Sequence, residues 1–260
     1  MARICILVVA YNAERKLAGV LDRIPQDILG KVEEIVVFDD ASQDRTEAVA
    51  REYRQRPGWE KLVVPKNPVN LMYGGNQQQG YRYAIERGFD IVVLLHGDGQ
   101  YAPEVMQRLL TPLEEGTADL VMGSRMMVRG AALRGNMPMY KFVGNRILTW
   151  AQNRLLGTRL SEFHSGYRAY AVAALQTVPL ASLTTNWHFD TQIILEFLKR
   201  DYRVAEVPIP TYYGDEISHV NGIPYAMYCL RESFNFARAY RWRRRGRSRP
   251  ALPHAPGPEK

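Results

Sequence analysis

The sequence predicts an α/β protein, a mainly parallel sheet flanked by helices, and three observations carry that prediction. Apolar runs of strand length recur at residues 3–10, 33–39 and 91–95 without alternating to a polar face, as strands covered on both sides require. Segments of helical spacing separate them, beginning with Leu17, Val20, Leu21 and Ile24. Two of the runs end in acids: Glu34 to Phe38 meets Asp39-Asp40-Ala41-Ser42, and Ile91 to Leu95 meets His96-Gly97-Asp98-Gly99-Gln100. Ligands of open α/β sheets sit beyond the carboxyl ends of the strands, so acids on two strand ends point to a metal-assisted nucleotide site.

The elements follow in order. Residues 3–10 form the first strand, and the helix after Asn12 is closed by Pro25 and Gly30. The second strand, 33–39, leads to a helix from about Asp44 to Arg54, with Ser42 or Asp44 available to cap it. Lys61 to Val64 makes a short third strand, and Gly80 to Arg87 belongs to the helix before the strand at 91–95. Pro103 sits near the first turn of the next helix, which ends before Gly116, and Asp119 to Gly123 is one more strand. Beyond residue 125 the pattern loosens. A polar loop at 126–138, a long amphipathic helix near 140–156 and a polar segment at 157–168 come first. A helix near 188–200 and the stretch Val204 to Pro210 then return to the core. The tail from Gly246 is rich in Pro and Gly and reads as disordered.

Composition narrows the class. At 260 residues, 46% apolar and 23% charged, the chain is long enough for a substantial core and has the balance of a globular protein. Its two cysteines, Cys5 and Cys229, give neither a disulfide framework nor zinc spacing, which suits a reducing, cytoplasmic setting. No apolar stretch reaches the ~20 residues of a membrane span. The net charge of +7 is local, because seven arginines lie between Arg238 and Arg249. The body of the protein is therefore no general polyanion binder, and no nucleic-acid partner is expected.

Known phosphate loops are absent. No GxGxxG follows the first strand, and Gly75 to Gly80 has P-loop spacing but is followed by Tyr81-Arg82 instead of Lys-Ser/Thr. What remains is carboxylates in turns. Asp39 and Asp40 with Ser42 either bind a base or ribose or cap the next helix; Asp98 either anchors a divalent ion or shapes a turn.

In order along the chain, these residues resemble family 2 nucleotide-sugar glycosyltransferases. Ala10-Tyr11-Asn12-Ala13-Glu14 is similar to the family's opening, and Val37 to Thr46 to its VVDDGSxDGT segment. Leu95 to Gln100 stands at its DxD-x-Q, and Gly123-Ser124-Arg125 at its GSR. Glu162 to Tyr170 resembles the D-x-x-SGFRAF stretch of the dolichyl- and polyprenyl-phosphate sugar transferases. The resemblance spans about 1–215 and implies a GT-A type, Rossmann-like catalytic domain there. A loop and a basic amphipathic helix would follow at 216–245, and the disordered tail at 246–260.

The resemblance also implies roles. Ala10, Tyr11, Asn12, Glu14, Asp39, Asp40, Ser42 and Gly97 would line the nucleotide-sugar site. Asp98 and Gln100 would hold Mn²⁺ or Mg²⁺ against the diphosphate, the ion acting as a Lewis acid on the departing nucleoside diphosphate. Arg125 and Arg134 would bind an acceptor phosphate through the arginine fork, with Arg168 at the sugar or diphosphate pocket and Glu162 at the family's Asp. The implied reaction is inverting transfer from a UDP- or GDP-sugar to a polyprenyl (dolichyl-type) phosphate. Transfer to a hydroxyl acceptor and non-catalytic nucleotide-sugar binding are the alternatives.

Two departures bear on this. His96 replaces the first Asp of DxD, either as a ligand suited to Mn²⁺ or as a structural histidine. Gly214 to His219 lacks the Lys of the subgroup's loop. Residues 224–245 mix aromatics with arginine, and their basic end is expected to meet a membrane surface or a membrane partner, placing the protein peripherally on the cytoplasmic face.

Overall fold

The computed structural model describes residues 2–213 and 221–244, with side chains as far as Tyr240. The loop at Gly214 to His219, the arginines beyond Arg244 and the tail lie outside the described residues.

In chain order the first half runs β1 (Ile4–Ala10), α1 (Leu17–Asp22), α2 (Gln26–Lys31), β2 (Glu34–Asp39), α3 (Thr46–Arg54), β3 (Leu62–Val63), α4 (Met72–Glu86), β4 (Ile91–His96), α5 (Met106–Glu114) and β5 (Leu120–Ser124). The second half runs α6 (Ala131–Arg134), α7 (Met139–Leu156), β6 (Arg168–Ala171), α8 (Val172–Leu175), α9 (Phe189–Lys199), β7 (Val204–Pro208) and α10 (Gly222–Arg244). Among the described residues these strands form one seven-stranded sheet in the order β3-β2-β1-β4-β6-β5-β7.

All strand pairs are parallel except those of β6, which runs antiparallel between β4 and β5. The sheet is therefore mixed but mostly parallel. Leu94 and Met122 flank Arg168 in register, so the carboxyl ends of β4 and β5 and the amino end of β6 share one edge of the sheet. The strand order reverses between β1 and β4, which places the crevice of a doubly wound sheet there.

Alternate residues of each strand feed two cores. Val8, Val37, Val93 and Leu95 face α1, α3 and α5, while Leu7, Val36, Val92 and Leu94 face α4, α8 and α9. Each of these fully buried side chains contributes roughly 1.5–3 kcal/mol of hydrophobic stabilisation. A sheet covered on both faces explains the unbroken apolar runs.

Three elements depart from the sequence reading. Pro25 ends α1 as expected, but its φ of −61° also suits a helix start, so α2 begins immediately after it. α4 starts at Met72, eight residues before the expected Gly80, despite its Gly, Asn and Gln content. Tertiary contact overrides propensity there. A methyl group at Gly80 would lie 2.2 Å from Leu7 Cδ2, and one at Gly75 would lie 3.3 Å from Thr185 Cγ2. The P-loop-like glycine spacing thus serves close packing of a helix. Finally, β6 emerges at the end of the segment read as polar, because Arg168-Ala169-Tyr170-Ala171 carries no β-branched signal.

A candidate active site at the carboxyl ends of the strands

The loops after β1 and β2 are stitched together. Ser42 Oγ accepts from the Asn12 N–H at 2.9 Å, and Asn12 Oδ1 accepts from the Gln43 N–H at 3.0 Å. Asp44 accepts from the backbone of Glu14 and of Thr46, and Glu14 Oε2 accepts from the Arg45 N–H at 3.0 Å. Asn12 and Ala41 sit in the left-handed region, at φ 49° and 57°. That conformation is costly for Ala, and Ala41 occupies the position of the glycine in VVDDGSxDGT. So the sequence-predicted residues Asn12, Glu14 and Ser42 build the walls of the crevice with their side-chain bonds.

The two acids at the end of β2 differ. Asp40 faces inward, where Oδ1 accepts from Asn67 Nδ2 and from the Leu71 N–H, both at 2.8 Å, and fixes the approach to α4. Burial raises its pKa, and these hydrogen bonds oppose the rise. Asp39 is wholly buried; its Oδ1 accepts from the Ser42 N–H, but its Oδ2 has no hydrogen-bond partner and lies 3.6 Å from Lys66 Nζ. A buried carboxylate oxygen left open is costly, and a ligand donor would satisfy it. Ala10, between β2 and β4, accepts the Asp40 N–H through its carbonyl, and Tyr11 beyond it is exposed.

At the end of β4, the Gly97 N–H donates to the Val9 carbonyl at 2.9 Å, and a methyl group at Gly97 would meet Ala10 Cβ at 3.3 Å. Asp98 is partly exposed, and its Oδ1 accepts from the Gln100 N–H at 3.0 Å. It therefore shapes a turn and also stands at the crevice. His96 precedes this turn. It is buried edge-on to Tyr73 and Tyr101, at centroid distances of 5.6 and 5.0 Å, and its Nε2 has no hydrogen-bond partner. A methyl group on Gly166 would lie 2.8 Å from that nitrogen. Burial lowers the His96 pKa, Asp98 opposing, so the ring is neutral.

Arg125 and Glu162 come together at the end of β5. Glu162 accepts from the Arg125 N–H at 2.7 Å, from its Nε at 3.0 Å, from its Nη2, and from Asn145 Nδ2 on α7 at 2.8 Å. Arg125 also donates to Tyr213 Oη and to the His164 carbonyl. Burial opposes charge on both partners, and their mutual attraction overcomes it: the Glu162 pKa is lowered and that of Arg125 raised. A carboxylate holding four hydrogen bonds at a depressed pKa is a poor base, so Glu162 acts as an anchor. His164, pushed down to about 4 by burial, is neutral and pairs with Tyr225 on α10.

Arg168, expected at the sugar or diphosphate pocket, is fully buried and donates to the carbonyls of Ser165, Phe163 and Asp190, so it ties the loop before β6 to α9. Arg134 is exposed at the end of α6 and not joined to that network.

Sequence reasoning missed Asp190. Its Oδ2 accepts from Tyr73 Oη at 2.7 Å, its Oδ1 lies 3.6 Å from Arg168, and Tyr73 stacks on Trp187 at 4.5 Å. The one available signal was an acid at a core-facing position of the apolar helix Phe189–Lys199.

Among the described residues, no group of three or more His, Cys, Asp or Glu is placed to hold a metal ion. A protein-only cage is thereby excluded among them. One carboxylate at a strand end remains compatible with a hard cation whose other ligands are substrate phosphates and water.

A mostly parallel sheet with a crevice at its reversal point, lined by strand-end acids, is an architecture that takes nucleotides, and the family match gives its class here, a GT-A glycosyltransferase that takes its sugar from a nucleotide donor. The chain belongs to glycosyl transferase family 2, whose pattern matches residues 5–178. It is 26% identical over 222 residues to the UDP-N-acetylglucosamine–dolichyl-phosphate N-acetylglucosaminyltransferase of Methanococcus voltae, covering 82% of this chain and 86% of that protein. It is 28% identical over 220 residues to the undecaprenyl-phosphate mannosyltransferase of Micrococcus luteus, covering 80% and 82%. The fold is also similar to glucosyl-3-phosphoglycerate synthase from Mycobacterium tuberculosis in complex with UDP. The TM-score is 0.68 at 19% identity, over 91% of this chain and 80% of that one.

Proposed function

We propose that this glycosyltransferase moves a sugar from a UDP- or GDP-sugar to a polyprenyl phosphate at a membrane surface. The observation that carries the donor side is the open, buried Asp39 Oδ2 on the same sheet edge as the partly exposed Asp98. Asp39 would accept a hydrogen bond from the nucleoside, and the exposed ring of Tyr11 would cover it. Asp98, with Gln100 beside it, would hold Mn²⁺ or Mg²⁺ together with the diphosphate; the bound ion would supply positive charge to the leaving group. His96 is left out of the ligand set because its free nitrogen is buried against Gly166 and Tyr73.

On the acceptor side, the exposed Arg134 would bind the phosphate, while Arg125, held by Glu162, would shape the wall between acceptor and donor. A phosphate oxygen of the acceptor attacks the anomeric carbon, the bond from that carbon to the diphosphate breaks, and its electron pair leaves on the nucleoside diphosphate. An anionic acceptor carries no proton that must be removed. This agrees with a site whose buried acid Glu162 already holds four hydrogen bonds of its own. The names of the relatives from Methanococcus voltae and Micrococcus luteus support the lipid-phosphate acceptor. No helix among the described residues is long and apolar enough to cross a membrane; a lipid-phosphate acceptor would bring the protein to the membrane surface.

The test is transfer of label from a panel of UDP- and GDP-hexoses to polyprenyl phosphate in detergent micelles, with Mn²⁺ or Mg²⁺. The proposal expects a labelled, organic-extractable product from at least one donor and its loss on chelation. Label that reaches only hydroxyl acceptors would refute it.

A further inference from the structure

α7 carries large apolar side chains away from the core as well as toward it. Its inner face, with Leu148, Thr149, Gln152 and Leu156, is buried. Met139, Tyr140, Val143, Ile147 and Trp150 project from the opposite side within one ~100° arc of the helix. They are exposed, Tyr140 by 73%, Ile147 by 62% and Trp150 by 68%. A soluble surface rarely gathers so many large apolar side chains in one stripe. The neighbouring α10, which packs on α7 and α9, repeats the pattern with exposed Ile223, Met227 and Phe234.

We propose that the outward face of α7 seats the protein on an anionic lipid bilayer, with α10 as the second contact. Charge selects this occupant. α7 carries Lys141, Arg146 and Arg154 and no acid, and the segment 222–244 sets five arginines against the single Glu232. Such helices bury apolar and aromatic side chains at the headgroup boundary while their cations meet anionic lipid. A second copy of the chain would instead bring the same cations together across a symmetric seam. The opposite side of the same helix borders the candidate site, since Asn145 on the inner side of α7 donates to Glu162. The seat thus assigned is α7, whereas the sequence alone pointed to the arginine cluster at the C-terminal end. The inference deepens the lipid-acceptor reading and rests on it for its purpose.

The test uses the full chain, vesicles of phosphatidylcholine with or without phosphatidylglycerol, and the variants Ile147→Glu, Trp150→Glu and their combination. These positions are exposed, so melting temperature should hold. Wild type should sediment with the anionic vesicles, and each single variant should lose about tenfold or more in partitioning, as expected when a buried apolar side chain becomes a charge. Emission from Trp150, isolated by comparison with Trp150→Phe, should be quenched by brominated lipid. Micellar transfer should survive in all variants, because the donor crevice is untouched. Three results would overturn the proposal: no vesicle binding by wild type, vesicle binding indifferent to both glutamates, or a wild-type dimer that the glutamates split into monomers. Vesicle binding without transfer to any lipid phosphate would instead sink the acceptor reading and leave the seat standing.

Discussion

The half of the molecule through β5, to which the donor site is proposed to belong, and the segment from Arg125 to Tyr213 are built on opposite principles. In the first, parallel strands carry the site and hydrophobic burial holds it, with charges mostly at exposed rims such as Arg3–Glu33. In the second, buried charges are themselves the framework. Glu162 clamps Arg125, and Arg168 threads between the carbonyls of Phe163, Ser165 and Asp190. The difference teaches where each part is vulnerable. Losing a donor-side acid should impair function and spare the fold, while losing a buried partner in the second region should damage the fold first.

The largest effect is expected from Glu162→Gln. It leaves a buried guanidinium without its counter-charge, and breaking such a pair costs about 3–5 kcal/mol, readable as a shift in the urea midpoint. Glu33→Gln, at the exposed rim, should leave the midpoint where it was. The pair also sets a pH dependence. The Glu162 pKa is lowered in the folded state, so its stabilisation is present above the ordinary carboxylate range and is lost as pH falls through the depressed value. Glu162→Gln should flatten that acid limb; an unchanged limb would remove the pair from the framework.

Asp39→Asn comes next. A hydrogen bond to a charged group is worth about 1.5–3 kcal/mol, so donor affinity by calorimetry should fall by about ten- to a hundredfold with thermal stability nearly retained. Equal losses of affinity and stability would erase the contrast between the regions. His96→Asp, which restores the family's carboxylate, should cost at least about 1–3 kcal/mol, because a carboxylate without a partner replaces the neutral ring between Tyr73 and Tyr101. The ratio of Mn²⁺- to Mg²⁺-supported turnover should stay constant; a shift toward Mg²⁺ would return His96 to the ligand set. The smallest effect belongs to Ala41→Gly. It relieves a left-handed alanine but frees the unfolded chain, for a net gain of less than about 1 kcal/mol in thermal unfolding.

The same contrast explains what was legible in the sequence. Val8, Val37 and Val93 announce strands because a sheet covered on both faces needs continuous apolar runs, and Asp39 and Asp98 stand out because they end those runs. β6 was invisible, since Arg168 and Tyr170 look like loop residues until the carbonyls that accept from Arg168 are folded around it. Asp190 was hidden for the same reason: its partners, Tyr73 and Arg168, are distant in the chain. Asp40 and Ser42 were legible as a motif but not in their division of labour, which depends on Asn67 and Leu71 arriving from the next connection. Long-range polar pairing, unlike burial, leaves no period to read.

Asp98→Ala is the most direct probe of the claim that a strand-end carboxylate serves donor turnover. Turnover with each active nucleotide sugar should be compared between wild type and the variant in Mn²⁺, alongside their urea midpoints. The account predicts a loss of at least about a hundredfold, the scale for removing a group that stabilises developing charge, at an unchanged midpoint. Wild-type turnover in Asp98→Ala would contradict it.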